Sequence, residues 1–227
     1  MALPRVSIVT PTTFSRAKFA ALLTRNVLCQ TYPQHLLELV VVGDTDPRTR
    51  EVFLGVFGQL PDVACKYYEC AIAENIGRKR NFACGKASSK ILASFDDDDM
   101  YHKWYIEYAV QTMREKRVNM VACRDMLVFF PLHAGKMTMV RGSSGHEATF
   151  VCTKRHWKTH KFAQTSTGEG TSMIAGSYFN ELDIRKVMIC FSHSSNTYDK
   201  APLLRAPTVD MPDDLRQKLM ALWSTCA

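Results

Sequence analysis

The sequence predicts an α/β protein: an open, mostly parallel central sheet flanked by helices, followed by a smaller mixed region. Two patterns carry the prediction. Up to about residue 100, continuous apolar runs of strand length alternate with segments whose apolar positions recur at helical spacing. Beyond about residue 116 this alternation gives way to closely spaced strand-like runs and Gly/Ser loops. A third observation concerns charge. Asp96, Asp97, Asp98 and Asp99 follow directly on the apolar stretch 91–95, and adjacent carboxylates repel one another unless a cation or a donor compensates them.

The elements follow in order. Residues 5–10 read as a short buried strand broken by Pro11-Thr12-Thr13, and residues 16–29 as a helix with Phe19, Leu22, Leu23 and Val27 on one face, capped by Thr13 or Ser15. Residues 36–42 form a second apolar strand, ended by the turn-rich group Gly43 to Pro47. A helix is expected over 48–60 and a third strand over 64–70. Residues 75–87 place Ala83 and Ala87 at helical spacing, and 90–95 read as a strand that delivers the acidic run. An aromatic-rich helix is expected over 101–116, then strands at 118–130, 136–141 and 148–153, with a Gly142-Ser143-Ser144-Gly145 loop between the last two. Three prolines within 201–212 lead to a helix at 213–223, expected at the periphery. In open sheets of this kind ligands bind beyond the carboxyl ends of the strands, so Pro11-Thr12, Gly43-Asp44 and the acidic run should converge there.

A chain of 227 residues, 46% hydrophobic and 22% charged, has enough apolar material for one full core. No run approaches the roughly 20 apolar residues of a membrane span, and the start of the chain lacks a signal-peptide core, so a soluble, cytoplasmic protein is expected. The eight cysteines are scattered singly without a C-x-x-C pair, which fits reduced thiols better than a disulfide framework or zinc site. The net charge of +7 is spread along the chain and no nucleic-acid motif accompanies it, so the expected partner is a small anion rather than nucleic acid.

Strand alternation would send Asp96 and Asp98 to one side and Asp97 and Asp99 to the other, so that one pair faces a cleft. Hard cations such as Mn²⁺ and Mg²⁺ take oxygen ligands of this kind, commonly together with substrate phosphate. An acidic run is more often a solvated loop, but this one has an apolar strand before it and an aromatic-rich segment after it.

The ordered segments VSIVTPTT, NVLCQTYP, VVVGDTD and NIGRKRNFACGKASSKILASFDDDDMYH resemble the glycosyltransferases of the GT-A fold, in particular the family 2 group. The resemblance is dense over residues 5–115. It implies a Rossmann-like GT-A sheet, with residues 1–115 as a nucleotide-sugar-binding half, 116–200 as an acceptor-binding and catalytic half, and 201–227 as a peripheral segment. It gives Pro11, Thr12 and Asp44 to the nucleotide and Arg80 to its phosphates. Asp96 and Asp98 become the acids of an Asp-x-Asp metal site, with Asp98 the direct ligand. Asp99 points to the donor sugar, and Asp97, also on the donor side, supports the turn.

The second half matches more loosely. RGSSGHEATFVCTKRHWKTHKF resembles the segment below the acceptor site, and STGEGTSMI resembles a Gly-Glu-Asp motif whose final Asp is usually the catalytic base. Gly170 stands at that position, which moves the expected base to Glu169. FSHSSNTYD resembles the late segment over the donor phosphates and makes His193 a metal or phosphate ligand, whereas His146, His156 and His160 lack a matched spacing.

The implied activity is metal-dependent, inverting transfer of a sugar from a nucleoside diphosphate, expected to be UDP, to a carbohydrate acceptor. The chain is allowed to be one part of a longer multidomain polypeptide. Two other classes remain open. A nucleotidyltransferase would want an N-terminal Gly-rich loop with a basic residue and an aspartyl phosphatase an N-terminal Asp-x-Asp, neither of which this sequence supplies. A non-catalytic nucleotide-sugar-binding module is favoured by the glycine at position 170.

Overall fold

The computed structural model describes residues 2–71, 74–176 and 178–226. Strand β1 (Val6–Pro11) is buried along its whole length because it has a parallel partner on each side, β2 (Leu37–Asp44) and β4 (Ile91–Ser94). Strands covered on both sides and both faces need no polar alternation, which is why these segments read as largely apolar runs. β3 (Ala64–Cys70) extends the sheet beyond β2. Helices α1 (Ala20–Leu28), α2 (Pro47–Phe57) and α3 (Ile76–Lys86) make the crossovers. Asp46 caps α2 by accepting the Thr49 N–H at 2.8 Å, and Asn75 caps α3 by accepting the Arg78 N–H at 2.9 Å.

On the other side of β4 the sheet continues through β9 (Val151–Thr153), β6 (Met120–Ala122) and β10 (Asn180–Glu181), giving seven strands in the order β10-β6-β9-β4-β1-β2-β3. Only β9 runs against its neighbours, so the sheet is mostly parallel as expected. A second sheet of four strands packs below it: β5 (Met100–Tyr101), β11 (Met188–Phe191), β7 (Asp125–Phe130) and β8 (Lys136–Arg141). No helix among the described residues is long and apolar enough to cross a membrane.

Four boundaries differ from expectation. The first helix begins as a 3-10 turn over Phe14–Phe19, in which the Arg16 N–H bonds Thr13 O at 2.9 Å; this tight turn delivers the Arg16 side chain inward. Tyr101 is extended rather than helical, because its N–H is taken by Asn26 Oδ1 at 3.0 Å and its ring stacks on Phe95 at 4.0 Å; helix α4 (Tyr105–Lys116) starts only afterwards. The 118–130 stretch splits into β6 and β7, which belong to different sheets. The 148–153 strand is shortened by a 3-10 turn over Glu147–Thr149.

The C-terminal helix α7 (Asp213–Ser224) is not peripheral in its packing: Leu219, Leu222 and Trp223 are buried in the main core. The Trp223 ring lies 5.8 Å from Phe191 and 5.5 Å from His193. Two short helices, α5 (Lys154–Thr159) and α6 (Thr171–Ile174), complete the second half.

One buried charge fixes the register of the parallel strands. Glu38 on β2 accepts from the Ser7 hydroxyl of β1, from the Ser88 N–H at 2.7 Å and from Lys66 Nζ of β3 at 2.7 Å. Burial works to raise its carboxyl, but these donors outweigh that and hold it below the usual glutamate range.

Candidate active site

Chain order places β2 and β3 to one side of β1 and β4 to the other, so a crevice opens between the carboxyl ends of β1 and β4. A cleft of about 480 Å³ occupies it. Pro11, Thr12, Arg16, Arg80, Asp96, Asp98 and Asp99 line it from the first half, and His146, Glu147, Glu169 and Lys200 from the second.

The acidic run does not continue β4 as an extended strand. It turns at Asp97, and alternation fails: one carboxylate oxygen from each of Asp96, Asp98 and Asp99 lies within 4.8 Å of the others. Asp97 alone is turned away. It is fully buried, accepts from the Thr12 hydroxyl and from Arg16 Nη1 at 3.2 Å, and does not line the cleft. Its place is the clamp between the β1 and β4 turns rather than the donor side of the pocket. Asp99 accepts the Phe191 N–H at 3.0 Å, and burial, reinforced by Asp98, pushes its carboxyl up to about 7.

Two buried arginines balance these acids. Arg16 Nη2 lies 3.1 Å from Asp98, and Arg16 also donates to Ser195 O at 3.2 Å, tying the C-terminal loop to the site. Burial works against the Asp98 charge, but Arg16 and the His193 hydrogen bond hold its carboxyl well below the aspartate range. Arg80 lines the cleft and donates through Nη2 to Asp96 at 2.7 Å and through Nε to Glu169 at 3.0 Å; its Nη1 is buried and has no hydrogen-bond partner among the described residues. A buried guanidinium at the wall of the cleft suits a phosphate oxygen.

The α3 motif that carries Arg80 also builds the far wall. Gly77 lets the chain approach closely: a Cβ there would sit 1.8 Å from Ala163 O. Asn81 pins the same loop by donating to Phe162 O at 2.8 Å and accepting the Phe162 N–H at 3.0 Å, and the Ala163 N–H bonds Glu169 O at 2.8 Å. Glu169 is thereby fixed beside Arg80. Burial raises its carboxyl against the pull of that arginine, leaving it above the usual glutamate range.

Asp44 and His193 do not line the cleft. Asp44 is buried, bound by Lys79 Nζ and by the Phe14 N–H at 3.2 Å, and does not line the cleft; Lys79 also reaches Thr12 O at 2.9 Å. His193 was expected on a metal. The Ser195 N–H donates to its Nδ1 at 3.1 Å, and its Nε2 lies 3.0 Å from Asp98 Oδ2 and 2.9 Å from Asn196 Nδ2, so the imidazole abuts Asp98 behind the cleft. It is held there by the Phe19 ring at 4.8 Å and by Trp223.

Sequence reasoning missed Arg16, Lys200 and Glu147. Arg16 stands in a stretch read only for its apolar face, and Lys200 and Glu147 stand in loops whose folding back onto β4 no local pattern announces. Lys200 Nζ donates to Phe191 O at 3.3 Å, and despite burial the neighbouring Asp99 keeps its ammonium above the ordinary lysine range. The three converging carboxylates are hard oxygen donors, and an added dication would relieve their mutual repulsion, so the residues fit Mn²⁺ or Mg²⁺.

The fold is shared with solved glycosyltransferases. The mannosyltransferase PcManGT from Pyrobaculum calidifontis, solved with GDP-Man and Mn²⁺, superposes with a TM-score of 0.67 at 16% identity, over 99% of this chain and 70% of that one. S. aureus TarS 1-349 superposes at 0.63 and 14% identity over 96% and 69%, and its complex with UDP-GlcNAc at 0.63 and 14% over 97% and 71%. No curated protein sequence matches the chain. Glycosyl transferase family 2 matches residues 7–165, from β1 through the acidic run to the segment just before Glu169, and the chain belongs to that family.

Proposed function

We propose that the protein is a metal-dependent, inverting glycosyltransferase that moves a sugar from a nucleoside diphosphate, a UDP-sugar in the first instance, to a carbohydrate hydroxyl. The observation that carries this reading is the meeting of three carboxylates with the buried guanidinium of Arg80 in a cleft at the switch point of the sheet. Asp96, Asp98 and Asp99 would hold Mn²⁺ or Mg²⁺, which when bound supplies Lewis-acid neutralisation of the departing diphosphate. Pro11 and Thr12 cradle the nucleotide, and the Arg80 guanidinium stabilises the phosphate as its charge grows. Arg16 and His193 keep Asp98 ionised and aimed. Asp44 acts on this pocket through Lys79, whose ammonium braces the Thr12 carbonyl. The acids of the far wall, Glu147 and Glu169, face the side from which an acceptor hydroxyl attacks. Relatives of this fold solved with UDP-GlcNAc and with GDP-Man and Mn²⁺ support the substrate class.

The test is nucleotide release from a panel of UDP- and GDP-sugars with Mn²⁺ and with chelator. Release of nucleoside diphosphate that needs the metal is expected, and Asp98→Ala is expected to abolish it. Release of pyrophosphate or inorganic phosphate would instead identify a phosphoryl-handling enzyme, and binding without turnover a sugar-nucleotide-binding module.

A further inference from the structure

Gly170 stands where the family's catalytic acid was expected, and the reason for a glycine there is not conformational. Its backbone is ordinary right-handed helical, with φ −78° and ψ −13°, which any residue adopts. The reason is space. A Cβ at position 170 would sit 2.5 Å from Glu147 Cγ and 2.8 Å from the Phe150 ring. The volume next to the 170 backbone is therefore filled by the side chain of Glu147, which arrives from the 3-10 turn before β9. The Gly170 N–H donates to Glu147 Oε1 at 3.1 Å, so the glycine also holds the carboxylate in place.

The two acids of this wall are not equivalent. Glu169 gives one oxygen to Arg80 Nε, and its side chain is 6% exposed. The Glu147 side chain lines the cleft and is 21% exposed, with Oε2 4.0 Å from His146 Nδ1. Burial works to raise the Glu147 carboxyl, but the His146 imidazole outweighs it and keeps the carboxyl below the usual glutamate range, ionised at neutral pH.

We infer that Glu147, not Glu169, is the catalytic base of this protein, a carboxylate delivered from a different segment into the place vacated at position 170. The inference rests on the transfer reading above. In the step, the acceptor O–H proton passes to Glu147 Oε2. The acceptor oxygen forms a bond to the anomeric carbon, and the bond from that carbon to the phosphate oxygen breaks, its electron pair leaving with the nucleoside diphosphate. Glu147 then returns the proton to water. Glu169 in this scheme is a positioning residue that holds Arg80.

Glu147→Gln tests this cleanly, because glutamine keeps an oxygen for the Gly170 N–H and loses only the proton acceptor. The readouts are nucleoside diphosphate release from the UDP- and GDP-sugar panel, with water or added sugars as acceptor, and donor affinity by calorimetry. Glu147→Gln is expected to lower kcat by about 10²- to 10⁴-fold with donor affinity within twofold of wild type. Glu169→Gln is expected to weaken donor binding, with the smaller fall in kcat. A wild type that turns over while Glu147→Gln stays within twofold of its kcat overturns the role of Glu147 alone. A wild type that binds donor and releases nothing overturns the transfer reading, and the role of Glu147 with it.

Discussion

At the scale of single residues, the site is a balance of buried charges in which no acid is left alone. Arg16 is the member that reaches furthest, touching Asp97, Asp98 and the Ser195 carbonyl at once. Removing one partner of a buried ion pair typically costs ~3–5 kcal/mol, because the remaining charge stays desolvated. Arg16→Ala is therefore expected to lower the thermal midpoint by several degrees in chelator, and by less in millimolar Mn²⁺, where the dication takes over part of its task. Differential scanning fluorimetry reads both arms; a variant as stable as wild type in chelator would remove Arg16 from this balance. Arg80 illustrates the opposite design: two of its nitrogens are satisfied by Asp96 and Glu169, and the third is buried without a hydrogen-bond partner among the described residues.

At the scale of elements, the sheet is locked by Glu38, which joins β1, β2, β3 and the approach to β4 through one carboxylate. Its folded-state pKa is depressed, so it contributes stability that is present above the unfolded glutamate value of about 4.3 and is lost as pH falls through the folded one. Glu38→Gln is expected to lower the thermal midpoint at neutral pH and to flatten its decline on acidification below about pH 4.3, as circular dichroism melts across pH would show. Much at this scale was legible in the sequence. The runs that became β1, β2 and β4 are largely apolar because both their faces are covered, and the caps at Asp46 and Asn75 sit where local chemistry puts them. What was not legible depended on long-range contacts. Tyr101 opens a stretch whose sequence reads as helix, yet its bond to Asn26, some 75 residues away, makes it a strand.

At the scale of the whole molecule, the C-terminal helix closes the site from behind. Trp223 packs on Phe19, Phe191 and His193, so one ring joins the turn after β1, the second sheet and the imidazole that orients Asp98. Trp223→Ala is expected to cost ~3–5 kcal/mol of stability, as for other buried tryptophans, and to weaken donor binding by freeing His193; urea titration and nucleotide-sugar calorimetry measure the two effects. The sequence by itself determined the α/β class, the order of strands and helices through β4, the family and the acidic run, because period and turn chemistry are local and the motifs are contiguous. Only the tertiary structure decided which acids face the cleft, that Asp97 is a clamp, that Asp44 is held by Lys79, and that Glu147 fills the space beside Gly170. Those outcomes depend on which side chains occupy the same few ångströms after the chain has folded back on itself, and distance along the sequence carries no record of that.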